Sequence, residues 1–173
     1  MENSVEIQKA IKKYLNCDML DSALLGNGAN GKVYKCNINK EPFVIALKVT
    51  NYSDMLFKEV NTINFINEHV DIKLPKIYFY HLADNEINLN IMGMSFIDGV
   101  GADRINWFCK GKKRRYFTKS AIDNFLQLQK ITNDKYGVVC GEQFDNWIDY
   151  YKPFAKARLD YIIPLAKQGE FPQ

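Results

Sequence analysis

Three closely spaced glycines constrain this 173-residue chain more than any other feature. They fall in Gly26-Asn27-Gly28-Ala29-Asn30-Gly31, between two segments rich in β-forming residues, Leu20 to Leu25 and Lys32 to Asn37. Glycine accepts positive φ without steric cost, so Asn27-Gly28 and Asn30-Gly31 each suit a tight reversal. A second reversal by composition, Asn39-Lys40-Glu41-Pro42, leads into a third strand-like segment, Phe43 to Val49. No helical period begins after Gly31. The chain is therefore expected to run strand, glycine loop, strand, turn, strand.

That order discriminates among the phosphate-binding patterns the loop fits. Gly26 to Val33 satisfies G-x-G-x-x-G, comes close to G-x-x-x-x-G-K-[ST], and satisfies the kinase-type loop G-x-G-x-x-G-x-V. A plain hairpin turn is the ordinary alternative. The first two patterns need a helix directly behind the loop, because its N-terminal N–H groups hold the phosphate. Here a strand follows, and Val33 stands where the second pattern needs a hydroxyl for magnesium. The third pattern is a flap between two strands, whose backbone N–H groups can close over phosphates. It requires a lysine on the next strand, and Ile45-Ala46-Leu47-Lys48 supplies one. Strand alternation puts Val44, Ala46 and Lys48 on one face, with Phe43, Ile45, Leu47 and Val49 on the other. A small Ala46 leaves room for a flat base while Lys48 reaches phosphate; the alternative is a solvated lysine at a strand end.

A helix is expected from Ser53, as N-cap, to about His69. At about 100° per residue, Leu56, Val60, Ile63, Ile66 and Val70 share an arc that also contains Glu59. A carboxylate on an apolar stripe needs a cation, and Lys48 is the candidate; a Glu59 reaching to water is the alternative. Ile7, Ile11 and Leu15 suggest an opening helix. Two further strands, Lys76 to Tyr80 and Leu89 to Met94, flank the polar turn at 83–86, and Ile97 to Gly101 reads as a linker. Beyond it, helical periods cover Thr118 to Ile131 and Phe144 to Lys167, the latter interrupted at Pro153. The fold class is α+β in two blocks.

Composition narrows the setting. No basic stretch with an apolar successor opens the chain, and the longest apolar run, Phe43 to Leu47, is too short to span a bilayer. Cys17, Cys36, Cys109 and Cys140 form no C-x-x-C pair and read as reduced thiols of a cytoplasmic protein without a membrane partner. The net charge is +3, yet Lys110 to Lys119 carries six basic residues and no acid, which leaves −3 for the rest. With Trp107, Phe108, Tyr116 and Phe117 this patch permits a nucleic-acid reading, but a solvated loop is the preferred one.

Taken together, the loop from Leu25 to Tyr34, Ile45-Ala46-Leu47-Lys48-Val49, Lys58-Glu59-Val60, Leu74-Pro75-Lys76-Ile77 and Met94-Ser95-Phe96-Ile97-Asp98-Gly99 resemble the aminoglycoside phosphotransferase and choline kinase-like family of small-molecule kinases. Phe125 to Ile131 resembles the family's leucine–histidine helix, with Gln129 in place of the histidine. The resemblance implies a kinase-like N-lobe over 1–96, a five-stranded antiparallel sheet plus one helix. A hinge at 97–101 and the helical start of a C-lobe over 102–173 would follow. It implies ATP or GTP under Gly26, Asn27, Gly28, Ala29, Asn30, Gly31 and Val33. Ala46 and Met94 would line the base pocket, the backbones of Ser95 and Ile97 would hold the base edge, and Lys48 and Glu59 would be the catalytic pair.

The sequence departs further from that family where its catalytic loop is expected. The family's H-G-D-x-x-x-x-N loop and its magnesium-binding aspartate have no counterpart; His69 and His81 are the chain's two histidines, and His81-Leu82-Ala83-Asp84 has the wrong spacing. The expectation is a chain truncated before the catalytic loop, inactive alone, whose magnesium ligands and acceptor site lie elsewhere. The implied reaction transfers a γ-phosphate to a hydroxyl of a small molecule. The alternative is a non-catalytic nucleotide-binding or interaction module. Helices from Thr118 onward carry apolar faces, so self-association is expected as well.

Overall fold

The computed structural model of the chain describes residues 4–99 and 110–167. The expected linker residues Val100 and Gly101, the aromatic residues Trp107 and Phe108, and Cys109 lie outside the described residues. The chain divides into two compact units, Met1–Ile131 and Thr132–Gln173. The described residues form a mixed α+β fold with four helices and a five-stranded antiparallel sheet.

In the first unit, helix α1 (Ser4–Leu15) precedes strands β1 (Met19–Gly28), β2 (Gly31–Ile38) and β3 (Val44–Thr50). Helix α2 (Ser53–His69) then leads to β4 (Ile77–His81) and β5 (Asn90–Ser95). The sheet order is β1-β2-β3-β5-β4, so β4 takes the edge and β5 returns to lie beside β3. Two helices lie on this sheet, where the resemblance implied one. Alternation decides which face each one covers. Ile45, Leu47 and Val49 of β3 join Tyr34, Cys36 and Ile38 of β2 in a core closed by Ile7, Ala10 and Ile11 of α1. The opposite face carries Met92, which Leu56 and Val60 of α2 cover, with Ile63, Ile77 and Met94 at the margin.

Helix α1 is anchored by more than apolar contact. Glu6 lies in its first turn and Lys12 and Lys13 in its last, each matching the sign of the helix dipole there. Gly93 faces Phe79, whose ring lies so close that a Cβ at position 93 would come within 2.3 Å of it. Tyr14 stacks on the same ring at 4.8 Å between centroids, and its hydroxyl lies 2.9 Å from His81 Nδ1. His81 Nε2 lies 3.1 Å from the Ile87 carbonyl, which can only accept, so Nε2 carries a hydrogen there. His81 is thus a satisfied core histidine. Below it, the Ile87 and Glu86 N–H groups hold the Asp84 carboxyl below its ordinary range.

Several local expectations needed correction. Ser53 is the first helical residue, and the N-cap is Tyr52, without a side-chain cap bond. Phe43 lies before β3 with φ +64 and is exposed, so the turn extends one residue further than its composition suggests. Helix α3 (Lys112–Leu128) starts six residues before Thr118, because a run of lysines and arginines forms helix readily yet shows no apolar period. In the second unit, helix α4 (Trp147–Lys167) runs on through both Pro153 and Pro164. A proline removes one N–H from the ladder without always ending the helix. The short hairpin of β6 (Tyr136–Gly137) and β7 (Gln143–Phe144) precedes α4 and had no signal in the sequence.

Neither α3 nor α4 buries a residue. Phe125 on α3 is 57 % exposed and Phe154 on α4 is 55 % exposed. Apolar surface of this extent favours association. Light scattering is expected to show dimers or larger species, and a monodisperse monomer across concentrations would count against it. A second expectation concerns Cys36, fully buried on β2, whose thiol is pushed up to about 12 by burial and secondarily by Asp21. A thiol raised this far is protonated at pH 8 and does not attack disulfide reagents. Peptide mapping after labelling of the native chain at pH 8 should find Cys36 unmodified and exposed Cys140 modified.

Candidate functional site

The site is built from cross-strand rows on the α2 side of the sheet. Residues directly opposite one another in antiparallel strands share a face. One row runs Gly26, Val33, Lys48, Met92 and Tyr80 across β1, β2, β3, β5 and β4. The next runs Ala23, Lys35, Ala46, Met94 and Ile77. Val33, Ala46, Lys48 and Met94 therefore share one face of the sheet, brought there by strand pairing.

Glu59 comes to this face from α2. It sits three residues after Leu56 and four before Ile63, on the helix surface that meets the sheet. Lys48 Nζ donates to Glu59 Oε2 at 2.5 Å, with the lysine side chain 16 % and the glutamate 36 % exposed. Val33 and Met92 flank Lys48 in the sheet, so its methylene stem runs between apolar neighbours while the ammonium meets the carboxylate. An ammonium with so little access to water is stable there only because a charge of opposite sign is in contact with it. Chemically, the pair offers a fixed cation, part of whose hydrogen-bonding capacity is open to a second anion.

The glycine loop is a β-hairpin. Gly28 pairs with Gly31, leaving Ala29-Asn30 as a two-residue turn. Of the two Asn-Gly steps, only Gly31 takes the left-handed region, at φ +127. A Cβ there would lie 2.3 Å from the Val49 carbonyl oxygen, so position 31 demands glycine twice over. At Gly26 and Gly28 a Cβ would meet nothing within 4 Å; their surroundings are open.

Not everything the sequence reading grouped is together. The hairpin tip borders a cavity of about 330 Å³ whose walls include Asn27, Gly28, Ala29, Gly31, Thr50 and Tyr52. None of these belongs to the Lys48 row, so tip and pair are not walls of one cavity. At the other end, the Ser95 N–H donates to Lys76 O at 2.8 Å, and its hydroxyl oxygen accepts from Lys76 N at 2.9 Å. The Ser95 N–H is therefore already engaged by the chain itself. Ile97 lies exposed beyond β5. Three residues were given no role from the sequence: Met92 and Lys35 of the face, and Phe96 just beyond β5. Counting by two from Val33 along β2 would have found Lys35; Phe96 is a neighbour only through the fold.

Among the described residues, no group of three or more His, Cys, Asp or Glu side chains could hold a metal ion. Among the same residues no helix is long and apolar enough to cross a membrane.

No family model matches the chain, and no curated protein matches it.

The hairpin gives a direct test of this geometry. Gly31→Ala is expected to cost about 1–3 kcal/mol in chemical denaturation, from backbone strain and the Val49 contact. Gly28→Ala should stay within about 0.5 kcal/mol. Equal effects at the two positions would contradict the hairpin described.

Proposed function

We propose that this chain is the nucleotide-binding part of a phosphotransferase that moves a γ-phosphate from ATP or GTP to a hydroxyl of a small molecule. The observation that carries the reading is the Lys48–Glu59 contact on the same sheet face as Val33, Ala46 and Met94. In such an arrangement the carboxylate fixes the ammonium, the ammonium neutralises and orients the α- and β-phosphates, and the small alanine admits the base. The fold is then read as a kinase-like N-lobe, the hinge as residues 97–101, and the setting as cytoplasmic.

This chain's share of the chemistry is to bind and orient. When bound, magnesium would shield the phosphate charges; among the described residues no group of three ligating side chains stands ready for it, and no base for the acceptor hydroxyl stands in the Lys48 row. The reading also asks something of the hairpin. Its tip must bend from its cavity with Thr50 and Tyr52 toward the Lys48 face before its N–H groups can meet phosphate. The open surroundings of Gly26 and Gly28 are compatible with a close approach of phosphate to the backbone.

Titration calorimetry with ATP and GTP on the full chain tests this. Lys48→Met should weaken triphosphate binding by about 2 kcal/mol, roughly thirtyfold, as expected for a lost charged hydrogen bond. Glu59→Gln should weaken it less, since the ammonium stays but is less firmly placed. Wild-type affinity in the Lys48→Met chain would overturn the reading.

A further inference from the structure

Lys35 is the second lysine of the candidate site, and its setting differs from that of Lys48. It stands two residues after Val33 on β2, directly opposite Ala46, which is itself opposite Met94. Its side chain reaches the far end of β5, where Nζ lies 4.8 Å from the centroid of the Phe96 ring. Phe96 falls between Ser95 and Ile97, the two residues whose backbones would hold the base edge. Lys35 thus passes beside Ala46, the residue expected to make room for the base, and Ala46 is only 6 % exposed. Among the described residues no carboxylate lies within ion-pair distance of Lys35, whereas Lys48 has Glu59. The contact the structure shows for the Lys35 ammonium is cation–π attraction to this ring, which a better acceptor can replace.

We propose that Lys35 determines base specificity and that the site prefers a guanine nucleotide to an adenine one. This rests on the nucleotide-binding reading above. An ammonium offers three donors and no acceptor. At the hinge end it meets the group on C6 of a purine. Guanine presents its O6 carbonyl there, beside N7, and both accept; lysine pairs with this edge in other settings. Adenine keeps the N7 acceptor but presents an amino group at C6, so the ammonium loses one of its two acceptors and faces a donor in its place. The two lysines then divide the nucleotide. Lys48 takes the phosphates, and Lys35 takes the base.

The test is calorimetric binding of GDP and ADP by the full chain, since diphosphates keep both ends of the contact. Wild type, Lys35→Met, Lys35→Arg and Lys48→Met are compared, with circular dichroism as the check on folding. Wild type is expected to bind GDP about tenfold more tightly than ADP. Lys35→Met should abolish the preference by losing GDP affinity, while Lys35→Arg, still a donor, retains it. Lys48→Met should weaken both nucleotides and leave their ratio unchanged. Equal wild-type affinities, or a preference that survives Lys35→Met, would overturn the role of Lys35 and leave the nucleotide site standing. If neither diphosphate binds at millimolar concentration, the nucleotide reading itself fails, and this inference fails with it.

Discussion

Strand β3 takes part in both cores, and its register decides which residues meet which helix. Ile45, Leu47 and Val49 fill the core that α1 closes, while Ala46 and Lys48 turn to the α2 side. A shift of one residue would send three large apolar side chains toward Glu59 and bury the lysine against Ile7 and Ile11. The apolar core on the α1 side and the ion pair on the α2 side therefore enforce the same register. Each would be expensive to violate, one through exposed apolar surface and the other through an unpaired buried charge.

The two faces differ in what they can do. The α1 side is closed: Gly93, Phe79 and Tyr14 stack, and His81 has both ring nitrogens engaged. Such a face contributes stability and excludes solvent. On the α2 side the helix covers one end of the sheet through Leu56 and Val60, and the rows containing Lys35 and Lys48 put cations among apolar residues. Cations in that setting gain more from an anionic or acceptor-rich ligand than surface lysines do, because fewer waters compete for them.

The sequence makes the strand–glycine loop–strand order legible because glycine punctuation and two-residue alternation are local properties. The face shared by Ala46 and Lys48, the helix over Ser53–His69 and the position of Glu59 on its inward arc follow from backbone periods alone. Element ends were less legible. Phe43 has a strand-forming side chain but takes a left-handed conformation, and the lysine-rich start of α3 hides a helix without an apolar stripe. Pro153 looked like a break because its cost is local, whereas the helix around it continues through neighbouring residues.

What the sequence determined by itself is which residues share a face within each segment, since side-chain direction repeats every two or 3.6 residues. Pairing between segments was decided only by the tertiary structure. Strand order placed β5 between β3 and β4, which set Met92 beside Lys48 and Met94 beside Ala46. The same packing brought α1 onto the second face, carried Lys35 across to Phe96, and set the hairpin tip against Thr50 and Tyr52. These contacts join residues far apart in the chain, and no local period encodes them. They form because the apolar surfaces of two helices and five strands can be buried together in this arrangement.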